Sequence, residues 1–244
     1  MGVIDKEWKI WKLFNEPDIE KIRFEESHRN YIGEVMPIHG SGISSATSKS
    51  KITLDHVKGG KLMHGFGVFV FKKRRHRFEG EFSEDNFNGY GIYVWQNERQ
   101  YYEGEWRDGR HHGLGMFVKD GGIRYEGSFV NGKFLGNGFG KYPNGDMYVG
   151  DWKDNAKHGE GMIYFEDGSQ YKGSFVRGEI HGKGKIKYKN GDIYEGEFRK
   201  GIKEGLGIYR FKPGFRVYTG QFRGDEITGK GKMEFEEKKM VYEG

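Results

Sequence analysis

Tyr102-Glu103-Gly104-Glu105-Trp106 decides the fold, because the stretch does not occur only once. The same Tyr-x-Gly-x-(Trp/Phe) frame returns at Tyr125/Gly127/Phe129, Tyr148/Gly150/Trp152, Tyr171/Gly173/Phe175, Tyr194/Gly196/Phe198 and Tyr218/Gly220/Phe222, every 23 or 24 residues. Phe78/Gly80/Phe82 opens the clean series, and Tyr242-Glu243-Gly244 begins a further unit. A second pattern, Gly-x-Gly, follows most of the Trp/Phe positions by seven residues, as in Gly89/Gly91, Gly113/Gly115, Gly159/Gly161, Gly182/Gly184, Gly205/Gly207 and Gly229/Gly231. A fixed period of this length marks a stacked array in which each unit contacts mainly its neighbours. Arrays of this kind usually bind and rarely catalyse.

Each period reads as a β-hairpin. Asp120-Gly121-Gly122, Asn144-Gly145, Asp167-Gly168 and Asn190-Gly191 supply turns between its halves, and the Asn-Gly and Asp-Gly pairs predict two-residue type I′ turns. Arg107-Asp108-Gly109 and Arg199-Lys200-Gly201 join one unit to the next. Side chains in a strand switch faces with period two, so Tyr102, Gly104 and Trp106 share one face while Glu103 and Glu105 share the other. A glycine inside a strand is costly unless something packs over it, and the neighbouring rings can do so. The expected fold class is all-β: an elongated, single-layer antiparallel meander of about nine hairpins with a short, potentially helical N-terminal cap.

Composition agrees with such a sheet. The 244 residues contain 42 glycines and only 34% hydrophobic residues, which argues against an ordinary globular core, yet 16% are aromatic and periodically placed, which argues against disorder. Lys and Arg (41) nearly balance Asp and Glu (36), so the net charge of +5 is too mild and too dispersed for a nucleic-acid binder. The absence of cysteine excludes a disulfide scaffold and permits a reducing compartment. The start, Met1-Gly2-Val3-Ile4-Asp5-Lys6, has no signal-like apolar run, and Lys6 stands where myristoylation favours Ser or Thr. No apolar stretch approaches the roughly 20 residues that span a bilayer as a helix.

Three regions follow. Residues 1–30 are not repeat-like; Trp8, Trp11 and Leu13 can share a helical face that caps the array or docks a partner. Residues 31–77 hold two divergent repeats, around Tyr31-Ile32-Gly33 and Thr53 to Gly67, separated by the polar loop Ser41 to Ser50. Residues 78–244 are the regular array.

The unit Tyr102-Glu-Gly-Glu-Trp-Arg-Asp-Gly-Arg-His-His-Gly-Leu-Gly closely resembles the MORN (membrane occupation and recognition nexus) repeat. The resemblance runs from Thr53 to Gly244, with a weaker extension back to Tyr31, and rests on seven successive matches. It departs at Leu135–Asn137, which read as two extra residues, and in the irregular spacing before Gly65; bends are expected at both. The resemblance implies a scaffold or adaptor. Family members include axonemal, cytoskeletal and membrane-tethering proteins and regulatory arms of larger enzymes.

Other chemistry falls away on geometry. His64, His112, His158 and His181 precede Gly-x-Gly, but equivalent positions two strands apart are about 10 Å distant. Zinc needs ligands within about 2.3 Å, so these histidines are expected to pack or hydrogen-bond at the turn into Gly-x-Gly. Gly-x-Gly opens no helix, so a phosphate loop is not expected. No catalytic residue, cofactor or metal is assigned.

Two surfaces remain. The candidate partner groove is the aromatic face, Tyr102, Trp106, Tyr125, Phe129, Tyr148, Trp152, Tyr171, Phe175, Tyr194 and Phe198, with no unit marked out as special. The candidate anion or lipid patch is the cationic turn Lys72, Lys73, Arg74, Arg75 and Arg77. Lys183, Lys185, Lys187 and Lys189 alternate; a two-residue Asn190-Gly191 turn would put them on the Tyr194 face, away from Glu195 and Glu197. The expected function is a non-enzymatic scaffold that binds other proteins of a large cytoskeletal assembly, in the cytoplasm and, on family precedent, in a cilium or flagellum. The rivals are a peripheral adaptor on anionic membrane lipids and a regulatory arm of a larger protein. Oligomeric state is left open.

Overall fold

A computed structural model describes residues 34–37, 61–71, 74–96, 99–212, 216–235 and 240–243. The expected N-terminal cap, the polar loop Ser41 to Ser50, and Lys72 and Lys73 lie outside the described residues. The strands are β1 (Glu34–Pro37), β2 (Lys61–Phe71), β3 (His76–Ser83), β4 (Asn86–Val94), β5 (Tyr101–Arg107), β6 (Arg110–Lys119), β7 (Ile123–Val130), β8 (Lys133–Lys141) and β9 (Met147–Lys153). They continue as β10 (Ala156–Tyr164), β11 (Gln170–Val176), β12 (Glu179–Lys187), β13 (Ile193–Arg199), β14 (Ile202–Phe211), β15 (Arg216–Arg223), β16 (Glu226–Phe235) and β17 (Met240–Glu243). Each pairs antiparallel with its sequence neighbours, from β1 on β2 through β16 on β17. The result is one open, single-layer meander, as the repeat predicts.

The turns exchange roles relative to expectation. The tight two-residue turns are those that follow the Trp/Phe position: Asp108 and Gly109 both have positive φ (49° and 71°), as do Asp154 and Asn155 (51° and 67°), the I′ signature. At the Asn-Gly and Asp-Gly sites only the glycine is left-handed. Gly191 (φ 91°) donates its N–H to Tyr188 O at 2.9 Å, while Tyr188 N–H bonds Asp192 O at 2.9 Å. That is a three-residue loop closed by a glycine bulge, repeated at Gly145 and Gly168.

One extra loop residue moves the register by one and changes what faces what. Lys187 pairs with Ile193, which sets Lys185 against Glu195 and Lys183 against Glu197. Lys185 Nζ reaches Glu195 Oε2 at 3.1 Å. The lysines therefore share a face with the glutamates, contrary to the register a two-residue turn would impose. The expected irregularity at Leu135–Asn137 is also absent: Gly127 pairs with Gly138 and Gly138 with Gly150, in the same frame as every other unit.

A bulge recurs in each regular hairpin. Between β5 and β6, Gly104 pairs with Gly115 and Trp106 with His111, so Glu105 alone opposes His112, Gly113 and Leu114. Gly113 takes φ 58° at this point. The glycines of Gly-x-Gly thus have separate causes. The first turns left-handed in the bulge. The second lies under a ring: a Cβ on Gly115 would come within 2.5 Å of Tyr102 Oη.

Candidate functional site

The rings of the repeat frame lie on one face, because directly paired residues share a face and Tyr102 pairs with Tyr93 on one side and Phe117 on the other. Tyr102, Tyr125, Tyr148, Tyr171 and Tyr194 are at most 1% exposed, and Trp106, Phe129, Trp152, Phe175 and Phe198 at most 6%. These ten residues were expected to line the groove; their burial makes them its floor instead. A sheet with no second layer has to make its core from the rings of its own face, and each fully buried ring contributes about 1.5–3 kcal/mol.

The phenol earns its place over phenylalanine by its hydroxyl. Tyr102 Oη donates to Glu105 O at 2.8 Å and lies 3.3 Å from His112 O, carbonyls on either side of the bulge. Tyr148 repeats this with Asp151 O (2.8 Å) and His158 O (3.4 Å). On the opposite face, Glu105 Oε1 accepts the Leu114 N–H at 2.9 Å, and Glu81 does the same for Tyr90 at 3.0 Å. Glutamates at this place are not merely solvated repeat positions; they hold bulge amides. The histidines before Gly-x-Gly take part through their backbone carbonyls at His112 and His158, while Nδ1 of His64 and of His112 is buried without a hydrogen-bond partner.

Units are joined ring to ring. Tyr102 meets Trp106 of its own strand edge-on at 5.0 Å and Phe129 of the next unit edge-on at 4.9 Å. Tyr125 likewise meets Trp152, and Tyr148 meets Phe175, both at 5.0 Å. Burial raises the Tyr142 and Tyr194 phenols to about 12, so the face carries no phenolate at neutral pH.

Above this floor stands a second row that sequence reasoning missed. Five residues after each Trp/Phe come Phe87, His111, Phe134, Lys157, Ile180, Lys203 and Ile227. Phe87 stacks on Phe78 at 3.8 Å, His111 on Tyr102 at 3.7 Å and Phe134 on Tyr125 at 3.8 Å. Lys157 instead holds its ammonium 5.1 Å from the Tyr142 ring centre and 5.8 Å from that of Tyr148. Burial lowers the Lys157 pKa and that of His111, the latter to about 4, so the His111 imidazole is neutral at pH 7. The residues half-open to solvent, including Phe117, Phe134, Tyr142, Phe165, Tyr188 and Phe211, form the surface that a partner can touch. The spacing of the row was legible; its residue types vary, so no motif announces it.

One unit differs from the others. Opposite the tyrosines stand Tyr93, Phe117, Ile163, Ile186, Tyr209 and Met233, but the position between Tyr125 and Tyr148 is Gly140. The Trp152 indole leans into that place, and beside it lies a half-open hollow of about 360 Å³ between Phe117, Phe134, Tyr142 and Trp152. The expectation that no unit is special is corrected here.

The cationic turn is less unified than its sequence. Arg74 and Arg75 are exposed, whereas Arg77 sits 3.6 Å from Glu79 on the opposite face.

The MORN repeat signature matches residues 60–73, 78–98, 102–124, 125–147, 148–170, 171–193, 194–216 and 218–237. Among curated proteins none matches the chain significantly. Solved structures similar to it include the TCP domain of SAS-4 (dCPAP) from Drosophila melanogaster in complex with a proline-rich motif of Ana2 (dSTIL), at 12% identity and a TM-score of 0.40 over 64% of this chain and 83% of that one. The TCP10 domain of Danio rerio CPAP, in complex with a STIL peptide, is similar at 10% identity and a TM-score of 0.23 over 66% of this chain and 84% of that one.

Proposed function

Since the chain belongs to the MORN-repeat family, whose arrays mediate protein or membrane interaction, we propose that it is a non-enzymatic scaffold that binds a segment of another protein along its ring face. One observation carries this reading. A single-layer sheet exposes a row of half-buried aromatic and aliphatic side chains, from Phe87 to Phe211, over which none of the described strands packs. Large contiguous apolar surfaces mark interaction sites, and aromatic anchors supply most of the binding energy at such sites. An extended or amphipathic helical segment fits a surface of this length. Family precedent, an analogy and nothing stronger, favours a cytoskeletal assembly and a cilium or flagellum as its setting.

The test is cross-linking in cells with the whole chain and two double variants. Phe87→Lys with Phe134→Lys places on the row a residue it already tolerates at Lys157 and Lys203. Arg74→Glu with Arg75→Glu reverses the exposed turn. Loss of the captured partners in the first variant, with retention in the second, is expected. The reverse ranking, together with salt-sensitive sedimentation on vesicles containing phosphatidylserine, would establish the membrane-adaptor reading, which the exposed Arg74 and Arg75 support.

A further inference from the structure

The hollow over Gly140 is where the ring face stops being uniform. Gly140 sits directly opposite Tyr148, and the Trp152 indole leans over it: a Cβ on Gly140 would lie 2.8 Å from Trp152 Cζ2. In the corresponding unit Tyr93 fills that place beside Trp106, with ring centres 6.1 Å apart. Both indoles keep the same hydrogen bond, Trp106 Nε1–H to Gly91 O at 3.0 Å and Trp152 Nε1–H to Gly138 O at 3.1 Å. The indole's hydrogen bond is therefore kept and Trp152, 5% exposed, is as buried as Trp106 at 6%; what differs is that the Trp152 ring itself fills the place over Gly140.

The hollow's chemistry limits what can enter. Its walls are the faces and edges of Phe117, Phe134, Tyr142 and Trp152, with Ile123 at the rim. Besides two tyrosines, the polar lining residues are His111, Lys119, Arg124 and Asn155, and Arg124 Nε already donates to Glu126 Oε1 at 2.6 Å. Asn155 Oδ1 already accepts the Phe134 N–H at 2.8 Å. Lys119 is exposed and pairs across its loop with Ile123, which places it on the ring face beside the opening. No carboxylate stands among the lining residues. A volume of about 360 Å³ is at the lower end for a small-molecule site, and a small molecule generally needs several convergent polar groups to orient it. This hollow is open and continuous with the row through Phe117 and Phe134, which suits a side chain arriving on a polypeptide that already lies along that row.

Resting on the reading of the ring face as a partner-binding surface, we propose that the Gly140 hollow is the anchor site of that partner. It takes one bulky apolar side chain of the bound segment, with an acidic group beside that side chain reaching Lys119. The repeated rows on either side give contact without register. Gly140 is the one position facing the tyrosines, among the described residues, that lacks a side chain, and this break sets where along the array the segment stops.

The whole chain is titrated with N-acetyl-L-phenylalanine, a carboxylate, and with its uncharged amide, following the tryptophan indole N–H and isoleucine methyl signals by NMR. The Trp152 indole and the Ile123 methyl, which line the hollow, should shift saturably, while the Trp106 indole, which does not line it, stays still. The carboxylate should bind more tightly than the amide, by up to about fivefold, as an exposed charge pair allows. Lys119→Glu, at an exposed position, should abolish or reverse that preference. Gly140→Ile should remove the response while the Trp106 signal certifies the fold; if that variant does not fold, Lys119→Glu still decides. Equal movement of Trp106 and Trp152, no saturable shift with either probe, or a carboxylate preference that survives Lys119→Glu each overturns the anchor. None of these touches the ring-face reading, which stands or falls on whether Phe87→Lys with Phe134→Lys loses its partners.

Discussion

The Tyr148 hydroxyl donates to the carbonyl of Asp151, three residues along its own strand, at 2.8 Å. The ring that forms the core thus also holds the bulge that lets the next glycine pair approach. Tyr148→Phe keeps the ring and removes only the donor. A buried acceptor left without a partner costs about 1–3 kcal/mol, and the loss should appear as a lower urea midpoint with an unchanged m-value.

Trp152→Ala should cost about 3–5 kcal/mol, because the indole is 5% exposed and its removal leaves a cavity. Gly150→Val should destabilise by a different route. Its Cβ would lie 2.5 Å from Gly161 Cα and 2.6 Å from Glu160 O, both backbone atoms that cannot step aside. If both variants melt with the parent chain, the ring-on-glycine core is wrong.

Acid should weaken the fold through His111. Stacking against Tyr102 buries the imidazole and lowers its pKa from 6.5 to about 4. Between those values the unfolded chain takes up a proton that the folded chain refuses, so this site's effect is nil above about pH 6.5. Stability then falls as pH drops towards 4 and levels off below it. His111→Phe, the residue found at Phe87 and Phe134 in the same row, should flatten the slope of stability against pH in that window. An unaltered slope would show that the imidazole is not the titrating group.

The array should be long in solution. Sixteen strands from β2 to β17 at about 4.8 Å each span roughly 70 Å, and about nine hairpins would reach roughly 90 Å. Small-angle scattering should give a radius of gyration well above that of a compact protein of equal mass; a compact value contradicts the meander.

Much of this was legible from periodicity. The 23-residue step, the shared face of Tyr102 and Trp106 and the glycine under the ring follow from period-two alternation and from what glycine permits. The register did not follow. Asn190-Gly191 reads as a two-residue turn, and only the bond from Tyr188 N–H to Asp192 O reveals the third loop residue that brings Lys185 to Glu195. The bulge was hidden too, since Gly113 and Gly115 look alike in sequence and serve different ends. Burial misled the choice of groove. The residues that recur most strictly are those the core needs, so the strongest motif marks the floor, and the contact surface is made of half-open residues outside it, among them the row whose identity drifts from Phe to His to Lys. Gly140 was invisible because one more glycine among 42 carries no signal until its opposite number, Tyr148, is known.

The edge-on contact between Tyr102 and Phe129, repeated from unit to unit, makes each joint interchangeable with the next. Excising residues 148–170 would bring Tyr171 and Phe175 to the places vacated by Tyr148 and Trp152 and leave every remaining joint the same kind of partner. Excising three residues from the same stretch would strand a tyrosine without its ring. Length in such a chain is therefore quantised: it can be changed by whole units with little harm, and by fractions of a unit hardly at all.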